Sequence, residues 1–378
     1  MISTDKGIFD EKSEVRQRII EYGRLAEKLD IVVFNIKNLE LPYTHDREYM
    51  VISENVRIYP TNSRSRWFYL FDAIKIGKKI EKPDLVTSQD PFECGLAGWR
   101  LAKYFSTKLQ LQVHTDFLNP YFQNESLLNK IRVKIAKFLI PKADCIRVVS
   151  KRIKDSILAK SNFPKEVGLQ KIEILPVFVD VEKIKNEPIQ VSLKEKYPQF
   201  DFIILMASRL TKEKNIGMAT EAMEGVVKSY PRVGLIIVGV GPEKANLKFK
   251  IKNLKLDKNV IMESWMTNLS SYYKTADLFL LTSNYEGYGM TVVEAVACGC
   301  PVIMTDVGLA GDVLESGYGG KVIPVGGKKE LEDLIKSFYA NSDLRDGLLL
   351  YSSKITDSIP SKTEYLKKYK KHWEDCLD

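Results

Sequence analysis

The chain has 378 residues, of which 44% are hydrophobic and 28% charged, and a net charge of +8. This composition excludes a disordered chain, and the length points to two domains. So modest a positive surplus favours anionic small ligands or an anionic surface over dedicated nucleic-acid binding.

The opening "MISTDKGIFDEKSEVRQ" has no signal-peptide core, and no apolar run reaches the roughly 18 residues of a membrane span. Cys94, Cys145, Cys298, Cys300 and Cys376 are odd in number and scattered. They suggest a reduced, cytoplasmic protein whose cysteines simply pack, the C-x-C at 298–300 included. His45 and His372 stand in charged contexts, are expected to be exposed, and receive no role.

In chain order, strands are expected at "MIST" (1–4), "IVVFNI" (31–36), "DLVTSQ" (84–89), "LQLQVHTD" (109–116), "CIRVVS" (145–150) and "IEILPVF" (172–178). Helical patterns lie between them, over 14–29, 94–105 and 126–140. The second half repeats the alternation, with strands at 201–208, 233–241, 259–264, 278–283, 301–306 and 320–324. Strands alternating with helices imply an α/β protein with two doubly wound parallel sheets. The polar stretch 178–199, with two prolines, marks the boundary. The expected domains are 1–182, 183–358 and a C-terminal helix over 359–378 that packs back on the first domain. Two such sheets facing one another would leave a ligand cleft at their strand C-terminal ends.

Three stretches of the second half carry candidate chemistry. In "ASRLTKEKN", Arg209 and Lys214 follow a strand and can neutralise a diphosphate; a solvated charged loop is the plainer alternative. In "VGVGPEKANL", Gly239 and Gly241 let the backbone approach a ligand, but Lys244 replaces the third glycine of a dinucleotide fingerprint. In "TSNYEGYGMTVVEAVACGCPVIMTD", a loop with Gly287 and Gly289 opens a helix near Met290. Amides around Gly289, Met290 and Thr291 would then face a phosphate. Glu294, about a turn into the helix, can accept two hydroxyl bonds from a ribose diol, and Glu286 can serve a sugar. Taken alone, Glu294 could equally be an ordinary acid near a helix N-terminus.

Together with "ADCIRVVS…ILPVFVD", these motifs occur in an order and at spacings that resemble the GT-B glycosyltransferases of the large retaining family 4 (GT4). The resemblance is strong over 140–325. It implies a nucleotide-sugar enzyme in which Arg209 and Lys214 hold the donor diphosphate. Glu294 would hold the ribose, Glu286 the transferred sugar, and the amides near Gly289 to Thr291 the phosphates. The donor would be the ligand that Gly239 and Gly241 let the backbone approach. His114 of "VHTDF" matches the family's histidine near the anomeric centre, and Lys6-Gly7 the loop that closes over the donor phosphates. That loop carries less glycine than is usual, and "PVFVD" replaces the usual Asn-Gly sequence.

The chain contains no Asp-x-Asp, so no metal and no cofactor are expected. The cations and helix amides would supply positive charge instead. With both glutamates assigned to hydroxyls, the resemblance implies front-face retention. The expected partners are a nucleotide-sugar donor and a glycan or lipid-linked acceptor. Segment 124–144 alternates apolar residues with Lys130, Arg132, Lys134 and Lys137, which suits either an anionic membrane surface or a core helix with a basic face. The alternative function is a non-catalytic nucleotide-sugar or glycan-binding module on the same fold. Dispersed basic residues without interleaved aromatics argue against a nucleic-acid partner.

Overall fold

The structure is a computed structural model that describes residues 1–37, 49–160, 171–266, 268–314, 319–350 and 352–378; His45 lies outside these. The chain divides into two compact units, Met1–Pro176 with Thr363–Asp378, and Val177–Lys362.

The first unit holds an eight-stranded sheet: β1 (Ile2–Ser3), β2 (Leu29–Val33), β3 (Met50–Ser53), β4 (Val56–Pro60), β5 (Leu85–Ser88), β6 (Lys108–Val113), β7 (Cys145–Val148) and β8 (Ile172–Ile174). Their order is β3-β4-β2-β1-β5-β6-β7-β8. All neighbours are parallel except the β3–β4 hairpin at the edge, which the sequence reading did not foresee. The helix expected over 14–29 ends at Gly23. There the Asn55 side chain donates to the Gly23 and Ala26 carbonyls at 2.7 and 2.8 Å. These bonds satisfy acceptors that a helix C-terminus leaves open, so the chain is free to enter β2.

Strand β6 shows how this sheet is covered. Leu109 and Leu111 lie against the helix Glu93–Phe105, where a side chain on Gly98 or Gly95 would touch them. Gln110 and Gln112 alternate with these leucines and so point to the opposite face. Both glutamines are buried. The cover is the C-terminal helix Lys362–Asp375, whose Tyr365, Tyr369, His372 and Trp373 are all buried. Tyr369 stacks on Tyr22 at 4.2 Å. The expectation of an exposed His372 is therefore corrected: it sits on the inner stripe of this helix.

The packing also corrects the cysteine reading. Cys376, just beyond the helix, forms a disulfide with Cys145 at the start of β7, with the Cα atoms 5.5 Å apart. Cys94 and Cys300 are free and buried, and Cys298 is free and half-buried. Burial pushes the Cys300 thiol far up and the Cys298 thiol up to about 12, as befits packing residues.

The second unit is a six-stranded, wholly parallel sheet: β9 (Phe202–Ala207), β10 (Val233–Val238), β11 (Val260–Glu263), β12 (Leu278–Leu281), β13 (Val302–Thr305) and β14 (Gly320–Ile323). Strands β9, β10, β12 and β13 are buried at every position, as central parallel strands must be. The order β11-β10-β9-β12-β13-β14 reverses direction between β9 and β12. That reversal is the topological switch point, where doubly wound sheets leave a crevice at the strand C-terminal ends.

Candidate active site

Two of the three stretches expected to carry chemistry in the second unit leave the sheet at this switch point. The loop after β9 carries Arg209 and, in a short turn over Lys212–Lys214, Lys214. The loop after β12 carries Glu286, Gly287 and Gly289 and ends in the helix Met290–Ala297.

Side chains bind the two loops together. Lys214 Nζ donates to Glu286 Oε1 at 2.5 Å, and Ser283 Oγ donates to the same oxygen at 2.7 Å. The Thr282 hydroxyl reaches the carbonyls of Lys214 and Asn215 at 3.0 and 3.1 Å. The Asn284 amide donates to the Glu213 carbonyl at 2.7 Å. Asn215, at φ 45°, turns the chain into the next helix and donates to Asn284 Oδ1 at 3.1 Å. Asparagine tolerates this left-handed conformation better than most residues do.

Lys214 and Glu286 are mostly buried, with side-chain exposures of 16% and 11%. Arg209 differs, at 76% exposure, and makes only a 3.4 Å contact with Glu213. It is a largely exposed cation, whereas Lys214 is held by Glu286. Glu213, which also accepts from Thr211 Oγ1 at 2.6 Å, was missed by the sequence reading, as were Thr282, Ser283 and Asn215. Only Asn215 carried a usable signal, its taste for positive φ.

Gly239 and Gly241 serve the same construction. A Cβ on Gly239 would lie 2.1 Å from the Ser208 carbonyl, and one on Gly241 2.3 Å from the Leu210 carbonyl. The close approach they permit is to the backbone that carries Arg209. Gly308, also missed, lets the loop after β13 support the other side: its Cβ would meet the Tyr288 carbonyl at 2.3 Å.

Gly289, at φ 108°, caps the helix that begins at Met290 and Thr291. The first amides of a helix have no intrahelical acceptor, so this end carries free donors and partial positive charge. Glu294 lies on the second turn, half-buried, and accepts from Tyr273 Oη at 2.9 Å. Burial, reinforced by Glu294, pushes the Tyr273 hydroxyl far above its ordinary value, so it stays a donor.

In the first unit, His114 follows β6. Burial, then the charges of Arg147 and Arg18, push its imidazole down to about 3, so it is neutral near pH 7. Its Nε2 lies 3.3 Å from Gln112 Oε1, which also accepts from Arg147 Nη1 at 2.9 Å. An acceptor there requires the Nε2–H tautomer. Gly7 sits in a short turn over Lys6–Phe9, where its amide donates to Asp5 Oδ1 at 3.0 Å.

Two family models cover most of the chain. Residues 24–183 match Glycosyltransferase Family 4, and residues 192–351 match Glycosyl transferases group 1. The chain belongs to the group 1 glycosyltransferases. It is 27% identical over 310 residues to an alpha-monoglucosyldiacylglycerol synthase of Acholeplasma laidlawii, covering 79% of this chain and 76% of that one. It is 28% identical over 274 residues to a glycosyltransferase of Methanocaldococcus jannaschii, covering 69% and 65%. Against the corresponding synthase of Streptococcus pneumoniae it spans only 53% of the relative's length. Among solved structures, a sucrose-phosphate synthase from Thermosynechococcus elongatus matches with a TM-score of 0.80 at 17% identity, covering 99% of this chain and 97% of that one. Anabaena HepE, solved with UDP and glucose, matches with a TM-score of 0.76 at 17% identity, covering 99% and 98%. These matches establish the GT-B fold.

Proposed function

We propose that this group 1 glycosyltransferase moves a hexosyl unit, with retention, from a nucleoside diphosphate sugar to a hydroxyl of a glycan or lipid-linked acceptor. The observation that carries the reading is the Lys214–Glu286 pair, held at 2.5 Å at the switch point, beside a helix whose N-terminal amides are open. A mostly buried lysine, an exposed arginine and helix amides form a set of donors suited to a diphosphate.

In the reaction, the bond from the anomeric carbon to the phosphate oxygen breaks as the acceptor oxygen bonds to that carbon on the same face. The acceptor proton passes to the departing phosphate oxygen. Arg209, Lys214 and the amides of Gly289, Met290 and Thr291 stabilise the charge that grows on the diphosphate. This donor set needs no metal ion, in keeping with a chain without Asp-x-Asp. Glu286 takes both its bonds on Oε1, which leaves Oε2 for a sugar hydroxyl. Glu294 takes the ribose diol. His114 and Gly7 keep the roles that the family resemblance implies.

The test is thermal unfolding with UDP, GDP, ADP and their sugars, repeated on Glu294→Ala. A ligand at about 100 times its Kd adds roughly 2.7 kcal/mol, a shift of several degrees for a domain of this size. One nucleotide should raise the midpoint of the wild type and leave the variant unmoved. No shift with any of them at millimolar concentration would overturn the donor assignment.

A lipid-linked acceptor is supported by the outer face of the helix Leu127–Leu139. Its inner stripe of Asn129, Val133, Ala136 and Leu139 is buried. Its outer face exposes Leu127, Ile131 and Phe138 among Lys130, Lys134 and Lys137. Exposed apolar side chains interleaved with lysines fit an anionic bilayer surface better than bulk water. Among the described residues no helix is long and apolar enough to cross a membrane. Vesicle sedimentation decides this point: recovery should rise with anionic lipid content, and equal recovery on neutral vesicles would remove the membrane.

A further inference from the structure

Where β7 meets the C-terminal helix lies a cluster that the glycosyltransferase reading leaves without a role. A ring nitrogen of His372 and the sulfurs of Cys145 and Cys376 lie within 4.8 Å of one another, and all three residues are buried. His372 and Cys376 are one helical turn apart, and Cys145 faces them from the sheet.

The disulfide accounts for the two sulfurs but not for the histidine. His372 Nδ1 lies 2.6 Å from Glu173 Oε2, while Nε2 is buried with no hydrogen-bond partner. The carboxylate holds the proton on Nδ1, and the Nε2 lone pair is left bare in a residue only 4% exposed. Such an acceptor is costly to bury unless something binds it. A carboxylate on one ring nitrogen and a metal on the other is the usual arrangement of a ligating histidine.

Gln110 supplies a second indication. Its Oε1 accepts from Thr87 Oγ1 at 2.6 Å and from Trp373 Nε1 at 3.3 Å. Two donors on the carbonyl oxygen fix the amide orientation, so Nε2 must point its N–H at Cys376 Sγ, 3.7 Å away. A donor aimed at sulfur favours a thiolate, the form in which cysteine binds metals.

We propose that, with Cys145 and Cys376 reduced, Cys145, His372 and Cys376 bind one thiophilic d10 metal ion, of the class of Zn²⁺. Two thiolates and one imidazole are soft to borderline ligands, which select this class over Mg²⁺ or Ca²⁺. Binding releases two thiol protons, and the resulting site of two thiolates, a neutral imidazole and a divalent ion carries no net charge. That neutrality suits burial. The disulfide and the metal are thus two alternative fastenings of the C-terminal helix to β7. Reducing the disulfide takes two electrons and two protons, and the two protons leave again when the metal binds. In the experiment a phosphine supplies the electrons and becomes its oxide, with water supplying the oxygen and the protons.

The full chain is reduced with a phosphine, desalted without air, and titrated with Zn²⁺ against a chromophoric chelator. One Zn²⁺ per chain should be withheld from the chelator, and none by Cys376→Ser or His372→Gln. Glu173→Gln, at a positioning residue, should weaken binding roughly 10- to 100-fold. Co²⁺ on the wild-type chain should give a thiolate-to-cobalt charge-transfer band, a readout that does not depend on any variant folding. Fully reduced wild type that withholds no Zn²⁺ and shows no such band would overturn the proposal, as would Zn²⁺ retention unchanged in His372→Gln.

Discussion

Gln112 on β6 and Thr282 after β12 are both buried polar residues of a parallel sheet, and different kinds of chain satisfy them. Thr282 donates to the carbonyls of Lys214 and Asn215, on the loop of the neighbouring strand β9. Gln112 donates to Tyr369 Oη at 3.0 Å, 257 residues onward, and accepts from Arg147. In the second unit polar groups are therefore met by the loops that the strand order itself makes adjacent. In the first they are met by a helix that arrives from the far end of the chain. One network builds the candidate site; the other holds the C-terminal helix in place.

The largest effect that would break this contrast is on stability. Arg147 is buried and donates to Leu175 O, Gln112 Oε1, Pro176 O and Tyr365 Oη, each at 2.9–3.0 Å, with its guanidinium 4.8 Å from the Tyr369 ring centre. Arg147→Met keeps the bulk but strands several buried acceptors, at about 1–3 kcal/mol each. A loss of about 3–5 kcal/mol in unfolding free energy is expected, while nucleotide affinity, which the proposed function rests on second-unit residues apart from Gly7, stays near the wild-type value. Affinity falling in step with stability would show that the two networks are not separate.

The second effect is on turnover. Lys214→Ala should lower kcat/KM by about two to three orders of magnitude, in line with roughly 3–4 kcal/mol for a lost transition-state donor. Arg209→Ala should do the same with less change in stability, because Arg209 is far more exposed. Near-wild-type turnover in both would remove the diphosphate assignment. A third effect separates His114 from its neighbours by pH. Its folded value, about 3, lies below the ordinary 6.5, so the fold favours the neutral ring. The corresponding stability is complete above pH 6.5 and is lost as pH falls toward 3. Melting temperatures measured at pH 7 and pH 4.5 should therefore diverge more for the wild type than for His114→Gln, and parallel losses would show that the ring is not held neutral.

The same contrast explains what the sequence disclosed. Strand alternation, the switch-point loops and the helix at Met290 were legible because apolar runs, glycines and acids mark them locally. The β3–β4 hairpin was not, since in "MVISENVRIYP" only the short run Val56–Pro60 alternates, while β3 buries Met50 alone. The burial of Gln110, Gln112 and Arg147 was not legible, because nothing near them in sequence foretells the tyrosines and tryptophan that cover them. His372 and Cys376 were misjudged for the same reason: "KKYKKHWEDCLD" is charged at most positions, and only its inner stripe is buried. Glycines 239 and 241 were legible as positions of close approach, but what they approach is the backbone of Ser208 and Leu210.

The smallest effect concerns Tyr273, whose hydroxyl donates to Glu294 Oε2 at 2.9 Å. Tyr273→Phe removes this one bond from a buried ring and leaves its packing unchanged. A net loss of about 1 kcal/mol, roughly fivefold in Kd, is expected for a nucleoside diphosphate. If Tyr273 acts by orienting Glu294 toward the ribose diol, a 2′-deoxy nucleoside diphosphate already lacks part of that contact. The penalty of the substitution should then shrink with the deoxy ligand, and calorimetry on the four combinations reads it as a coupling. An equal penalty for both ligands would place the tyrosine's effect on the fold of the helix and not on the ribose, and would leave Glu294 as an acid stabilising a helix N-terminus.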